Sequence, residues 1–249
     1  MNIMIFGATG MVGQGVLRAC LLAPDVAAVL SVGRSASDSP HTKLRDLVQS
    51  DLMNFFAHAT DQNAVSELKG YDACFFCLGV SSGGMDEARY TQLTYELTLS
   101  AAELLARLNP PMTFIYVSGA GTDSSEQGRS MWARVKGRTE NALMRLPFKA
   151  AVMFRPGVIA PLHGARSKTT SYRLLYTVTS PLLPVLRALF PKQVLTTESV
   201  AEAMLNIARF GIAHFGLAKL GARGWVLEAA DIYAVANARK ASPVPTSTP

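Results

Sequence analysis

The first thirteen residues, Met1-Asn-Ile-Met-Ile-Phe-Gly7-Ala-Thr-Gly10-Met-Val-Gly13, constrain this chain more than any other stretch. A short apolar run, Ile3 to Phe6, reads as a buried strand that breaks at Gly7. The apolar segment from Met11 to Leu22 reads as the helix that follows. Between them lies G-x-x-G-x-x-G. The first glycine permits the tight turn out of the strand. The second lets a phosphate approach the backbone, and the third lets helix and strand pack closely. Unpaired N–H groups and the positive dipole at the helix start then favour a pyrophosphate. Strand, glycine turn and helix in this order predict a dinucleotide site, which a glycine pattern alone would not.

The rest of the chain supports that reading. Val26 to Val32 forms a second apolar run closed by Gly33-Arg34-Ser35. Pro40 to Ser50 is polar, and Ala64 to Leu68 suggests a short helix. Asp72 to Leu78 reads as a strand, and Asp86 to Leu108 carries apolar residues at helical spacing up to Asn109-Pro110-Pro111. Thr113 to Val117 and Ala150 to Phe154 are strands, separated by a helix over 130–146. Alternating strands and helices predict an α/β fold, a Rossmann-like doubly wound parallel sheet. In such sheets the ligand crevice lies beyond the carboxyl ends of the strands. Gly7, Arg34, Gly79, Ser118 and Pro156 all fall there.

The expected organisation is one domain over 1–240. Its core is 1–158, a smaller C-terminal region over 159–240 covers the substrate, and 241–249 is a disordered tail. In the C-terminal part, Tyr172 to Phe190 suggests Pro-interrupted helices. Thr197 to Ala208 suggests an amphipathic helix capped by Thr197 or Ser199, Trp225 to Glu228 a late edge strand, and Asp231 to Arg239 a last helix.

The net charge of +6 raises the question of nucleic acid. The basic residues form no tract, however, so a basic surface around an anionic cofactor is the better reading and DNA binding a minor alternative. Three cysteines make no disulfide framework. Cys74 and Cys77 match C-x-x-C, but within a strand such positions face opposite ways, so both read as core thiols rather than metal ligands. No metal site is expected. No run of the length needed to span a membrane occurs, the strand follows Met1 directly, and a cytoplasmic protein is the expectation.

A dinucleotide site of this kind that takes NAD places a carboxylate at the end of the second strand, on the ribose 2′-hydroxyl. Here Arg34 stands there, and its fork of donors matches a 2′-phosphate. NADP(H) is therefore expected over NAD(H).

With these motifs in order, the chain resembles the short-chain dehydrogenase/reductase superfamily in its atypical, epimerase-like branch. The similarity rests on Gly7 to Gly13, Asp51-Leu52, Leu78-Gly79-Val80, Tyr116-Val-Ser118-Gly-Ala, Val135-Lys136-Gly137 and Arg155-Pro156-Gly157-Val158. Val226 to Ile232 also resembles the tail of Tat-interacting-protein-type oxidoreductases, so the resemblance covers about residues 1–235. It implies cofactor contacts at Gly7, Thr9, Gly10, Met11 and Val12, with Asp51 and Leu52 at the adenine. Leu78 and Gly79 would line the cofactor, Lys136 would reach the ribose, and Pro156, Gly157 and Val158 would lie near the nicotinamide.

The family's active site pairs a serine with Tyr-x-x-x-Lys, one helical turn apart, the lysine lowering the tyrosine pKa. Ser118 and Lys136 match it. Four residues before Lys136, however, stands Trp132, whose indole N–H donates a hydrogen bond but exchanges no proton near neutral pH. Three readings follow. In one, a reductase acts on a small carbonyl or hydroxyl compound, another group or water through Lys136 supplying the proton. In another, the protein binds NADP(H) without turnover as a regulator, redox sensor or assembly partner, with 172–190 able to dock a protein or membrane surface. In the last, Trp132 marks an unusual, non-redox reaction. Tyr90, Tyr95, Tyr116 and Tyr172 are the other phenols considered, and His163 reads as a loop histidine.

Overall fold

The computed structural model describes residues 1–37, 39–57, 65–165, 189–190, 192–218 and 224–238. Seven parallel strands form its central sheet: β1 (Asn2–Phe6), β2 (Ala28–Gly33), β3 (Leu44–Val48), β4 (Ala73–Phe76), β5 (Thr113–Val117), β6 (Ala150–Arg155) and β9 (Gly224–Glu228). Their spatial order is β3-β2-β1-β4-β5-β6-β9. The order reverses between β1 and β4, and there a doubly wound sheet opens its crevice. A separate parallel pair joins β7 (Val158–Ala160) to β8 (Val194–Thr196).

Strands covered on both faces read as unbroken apolar runs, and the two faces divide the core cleanly. Ile3, Ile5, Phe75, Ile115, Val152 and Phe154 point to one side. There they meet α1 (Met11–Leu22), α6 (Thr197–Phe210) and α7 (Ala229–Asn237). Met4, Phe6, Phe76, Phe114, Tyr116 and Met153 point to the other, toward α2 (Leu52–Ala57) and α4 (Leu97–Leu108). On that side aromatic rings run from strand to strand, Phe6 on Phe76 at 4.8 Å and Phe76 on Phe114 at 5.8 Å. Cys74 belongs to the second face and Cys77 packs toward the first, so the two thiols diverge as the strand period requires.

Several elements differ from expectation. The polar stretch 40–50 contains β3, an edge strand whose alternation is only partly apolar, as an exposed sheet margin allows. The long helix over 86–108 is a relay of α3 (Glu87–Thr91), a π-helical segment (Gln92–Glu96) and α4. One extra residue per turn there shifts the register of the apolar face. Ala64 lies outside the described residues, while Val65 and Ser66 are helical. Trp225 to Glu228 does form the edge strand, beside β6. The expected helices over 172–190 lie outside the described residues apart from Leu189 and Phe190, as does the expected tail over 241–249.

The cap of α6 is Thr196, not Thr197 or Ser199 as expected. Its hydroxyl accepts from the Ser199 N–H at 2.9 Å, and the Ser199 hydroxyl accepts from the Thr196 N–H at 2.8 Å. Thr197 is already helical and wholly buried. Thr196→Ala should therefore lower stability by about 1 kcal/mol in urea denaturation, while Glu202→Ala, at a half-exposed α6 position away from the cap, should change little.

Candidate functional site

The rim beyond the carboxyl ends of β1, β2, β4, β5 and β6 carries the candidate residues. At β1, Gly7 has φ +76, and a Cβ there would lie 2.8 Å from the Leu78 backbone. Only glycine tolerates both the conformation and the contact. A Cβ on Gly13 would stand 2.0 Å from the Gly7 carbonyl oxygen, so α1 lies directly on the turn. The Gly10 N–H donates to Gly7 O at 2.9 Å and closes the loop. Gly10 caps α1 without a side-chain hydrogen bond, and no acid occupies the first turn of the helix. A twelve-residue helix thus offers its positive end to the rim, with no acid of its own first turn against it. Thr9 O accepts from Gln14 Nε2 at 3.0 Å, and Met11 and Val12 pack partly into the core.

After β2, Arg34 is exposed. The loop behind it is pinned by Asp46 of β3, which accepts from the Ser37 N–H at 3.2 Å and the Ser37 hydroxyl at 3.0 Å. Asp46 is thus an acid near the end of β2 whose two oxygens both serve the loop. Asp51 caps α2, accepting from the Asn54 N–H at 3.0 Å, while Leu52 is buried in the core behind it. Beyond β4, Leu78 is half-buried, and a Cβ on Gly79 would meet nothing within 4 Å, so the rim is open there.

Beyond β5 stands the densest polar cluster. It joins Ser118 to α5 (Met131–Leu143) and to the end of β6. The Ser118 hydroxyl donates to Glu140 Oε1 at 2.5 Å and lies 3.0 Å from the Phe154 carbonyl. Glu140 has no solvent exposure, and Arg155 Nε reaches both its oxygens at 3.0 and 3.2 Å. Arg155 Nη2 also pairs with Glu140 Oε2 and donates to the Ser124 hydroxyl at 2.5 Å. Lys136 Nζ donates to the Ser118 carbonyl oxygen. Lys136 is half-buried, and desolvation lowers its pKa to about 8 against a smaller opposing pull from Glu140.

Ser118 and Lys136 are therefore brought together, but through the serine's carbonyl, with the hydroxyl turned inward to Glu140. Trp132 lies one turn earlier on α5, its ring 3.4 Å from where a Cβ of Gly121 would be. Pro156 is buried, and its carbonyl accepts from the Ala120 N–H at 2.9 Å; Gly157 and Val158 are exposed. Asp123 is held by its own loop, accepting from the Gly128 N–H at 2.7 Å, and a Cβ on Gly137 would lie 1.8 Å from Asp123 O. That contact fixes the 119–130 loop against α5.

The other phenols and thiols do not replace a tyrosine here. Tyr90 and Tyr116 are buried, and burial pushes the Tyr116 phenol well up. Tyr95 lies under the Arg138 guanidinium at 4.3 Å, and Tyr172 is outside the described residues. Burial raises the Cys77 thiol to about 12. His163 faces Glu198 at 3.7 Å, in a groove of about 250 Å³ between α1 and α6 rather than at the rim. Sequence reading missed Glu140. The available signal was its place one turn beyond Lys136, on the helix face that α5 buries.

No family model matches the chain. In sequence it is similar to Protein fmp52, mitochondrial, of Emericella nidulans, 26% identical over 163 residues, 64% of this chain and 67% of the relative. It is likewise 28% identical over 173 residues to Protein FMP52, mitochondrial, of Saccharomyces cerevisiae, 68% of this chain and 69% of the relative. These names overturn the cytoplasmic expectation, which rested on an apparent lack of targeting signals. In structure it is similar to the Bordetella bronchiseptica enzyme WbmF in complex with NAD+ and UDP, with a TM-score of 0.62 at 18% identity over 95% of this chain and 76% of that one. UDP-glucuronic acid 4-epimerase from Bacillus cereus in complex with NAD matches with a TM-score of 0.61 at 13% identity, over 92% and 78%. A short chain dehydrogenase family protein of Francisella tularensis matches at 0.61 and 13%, over 92% and 98%. The chain thus has the Rossmann-like fold seen in these short-chain dehydrogenase and epimerase structures, as the motifs led one to expect, and it is similar in sequence to the Fmp52 proteins.

Proposed function

We propose that this chain is a nicotinamide-dinucleotide-binding, oxidoreductase-like protein that prefers NADP(H) to NAD(H) and acts on a small carbonyl or hydroxyl compound. One observation carries the reading. The Gly7–Gly10–Gly13 turn packs so closely on the β4 end and on α1 that a Cβ at Gly7 or Gly13 would strike backbone, and it carries a helix start with no side-chain cap and no acid in its first turn, as a pyrophosphate requires. Gly7, Thr9, Gly10, Met11 and Val12 would hold the pyrophosphate, and Arg34 a 2′-phosphate. Asp51 and Leu52 would border the adenine, Leu78 and Gly79 the middle of the cofactor, and Pro156 to Val158 the nicotinamide. Lys136 would hold ribose hydroxyls, and Ser118 would flank the reacting end. The bound cofactor would supply or accept a hydride. The names of the sequence relatives support a mitochondrial setting.

The neighbours named with a dinucleotide carry NAD, so the preference for NADP(H) rests on this chain's own residues. Arg34 is exposed at the β2 end, and Asp46, the acid on the adjacent strand, is taken up by Ser37. A charge-assisted contact to phosphate is worth about 1.5–3 kcal/mol. Arg34→Ala should accordingly weaken NADPH binding by about 10- to 100-fold and leave NADH binding unchanged, by calorimetric titration. Equal wild-type affinity for the two cofactors would remove the preference.

A second reading, binding without turnover, is favoured by Trp132 and by the inward hydroxyl of Ser118. A panel of carbonyl compounds separates the two. Turnover of NADPH supports the enzyme, and tight binding with none supports the regulator.

A further inference from the structure

The polar cluster beyond β5 sorts its charged groups by what they are free to do. Glu140 is enclosed by Arg155 and the Ser118 hydroxyl. Arg155, from β6, is committed to Glu140, Glu228 and Ser124. Asp123, from the loop before α5, is committed to Ser125 and Gly128. From the β5 end come Ser118 and the buried Tyr116. Lys136 differs from all of these. Its Nζ spends a hydrogen bond on the Ser118 carbonyl and pairs with no carboxylate among the described residues. An ammonium has three N–H donors, so others remain to be directed at a ligand. Burial lowers its pKa to about 8, against an opposing pull from Glu140, so near neutral pH it is still an ammonium that can give up a proton and recover it.

We propose that Lys136 itself delivers the proton to the oxygen of a carbonyl substrate at this rim, the part for which the indole of Trp132 is unfit. The inference rests on the dinucleotide-binding reading above and assigns that site its acid. The bound reduced cofactor would supply a hydride to the carbonyl carbon, whose π electrons would move to oxygen. That oxygen takes one proton from the Nζ ammonium. The products are an alcohol, the oxidised cofactor and a neutral amine, which regains its proton from water. Glu140, enclosed by Arg155, favours the charged amine without forming a direct ion pair with it.

Lys136→Arg tests the assignment, because a guanidinium keeps charge and donors for ribose hydroxyls but does not release a proton at these pH values. Three measurements are made on the full chain. They are NADPH binding by fluorescence, the pH titration of lysine 13Cε resonances, and NADPH oxidation with 9,10-phenanthrenequinone between about pH 6 and 10. The expected wild type binds NADPH and shows one lysine resonance with a midpoint near 8, absent from Lys136→Arg. Its reduction rate falls about tenfold per pH unit above that midpoint, because the ammonium is the donating form. Lys136→Arg should bind NADPH within about tenfold of wild type and oxidise it at least about 100-fold more slowly. Lys136→Met should match its slow oxidation, which guards against a folding fault peculiar to arginine.

Wild-type oxidation rates in both variants overturn the proposal. So does a lysine titration with no midpoint below about 9.5, or NADPH binding with no oxidation at any pH. Failure of the wild type to bind NADPH overturns the dinucleotide reading instead.

Discussion

Gly13→Ala should cost about 1–3 kcal/mol of stability and at least about tenfold in NADPH affinity. The added Cβ would lie 2.0 Å from Gly7 O, 2.7 Å from Gly7 C and 2.9 Å from Ala8 Cα. All three are backbone atoms of the turn, so no side chain can swing away. Relief requires α1 to lift off β1, which moves the helix start away from the crevice it faces. Gly10→Ala provides the comparison: its Cβ would sit 3.3 Å from Gly7 O, a contact that a few tenths of an ångström relieves. Urea denaturation and NADPH titration of both variants decide the matter. A Gly13→Ala protein as stable and as tight-binding as wild type would mean the turn is not what positions the helix.

Glu140→Ala should be the most damaging single change to stability, at about 3–5 kcal/mol. The carboxylate is wholly buried, and its removal leaves the Arg155 guanidinium, whose side chain is only 12% exposed, without its main partner. It also frees the Ser118 hydroxyl and loosens the joint between β5, α5 and β6. In a chain of this length such a loss corresponds to about 10 °C or more in Tm. The double variant Glu140→Leu with Arg155→Met should recover much of the loss, since two matched apolar groups avoid the stranded charge. If the double variant were no better than Glu140→Ala, the damage would lie in packing rather than in the unpaired arginine.

The strands with buried faces were legible in the sequence because parallel strands read as continuous apolar runs, and β1, β5 and β6 sit within a residue of where those runs lie. The glycine turn was legible for the same kind of reason. Positive φ and a 2.0 Å approach leave one residue type, and the sequence shows it. What escaped was set by partners distant in sequence. β3 is half-exposed and mixed in character, and only its pairing with β2 makes it a strand. The cap of α6 fell on Thr196 because β8 runs directly into the helix, leaving Thr197 to pack inside. Glu140 was not singled out, because Arg155 and Ser118, which draw it into the interior, lie at the ends of two strands distant in sequence. The inward turn of the Ser118 hydroxyl follows from the same acid, and no local pattern announces it.

The last strand of the sheet also sets a clock on assembly. β6 pairs on its outer side with β9, residue for residue from Ala151 with Gly224 to Arg155 with Glu228, across a separation of 73 residues. Until those residues leave the ribosome, the backbone groups along the margin of β6 have no strand to bind. At about 5–20 residues per second that interval lasts about 4–15 s. During it the nascent chain presents an apolar, unpaired strand edge, the feature most prone to stray pairing with another chain. Its folding in the cell is thus paced by synthesis, and the margin of β6 is where a chaperone would be needed first.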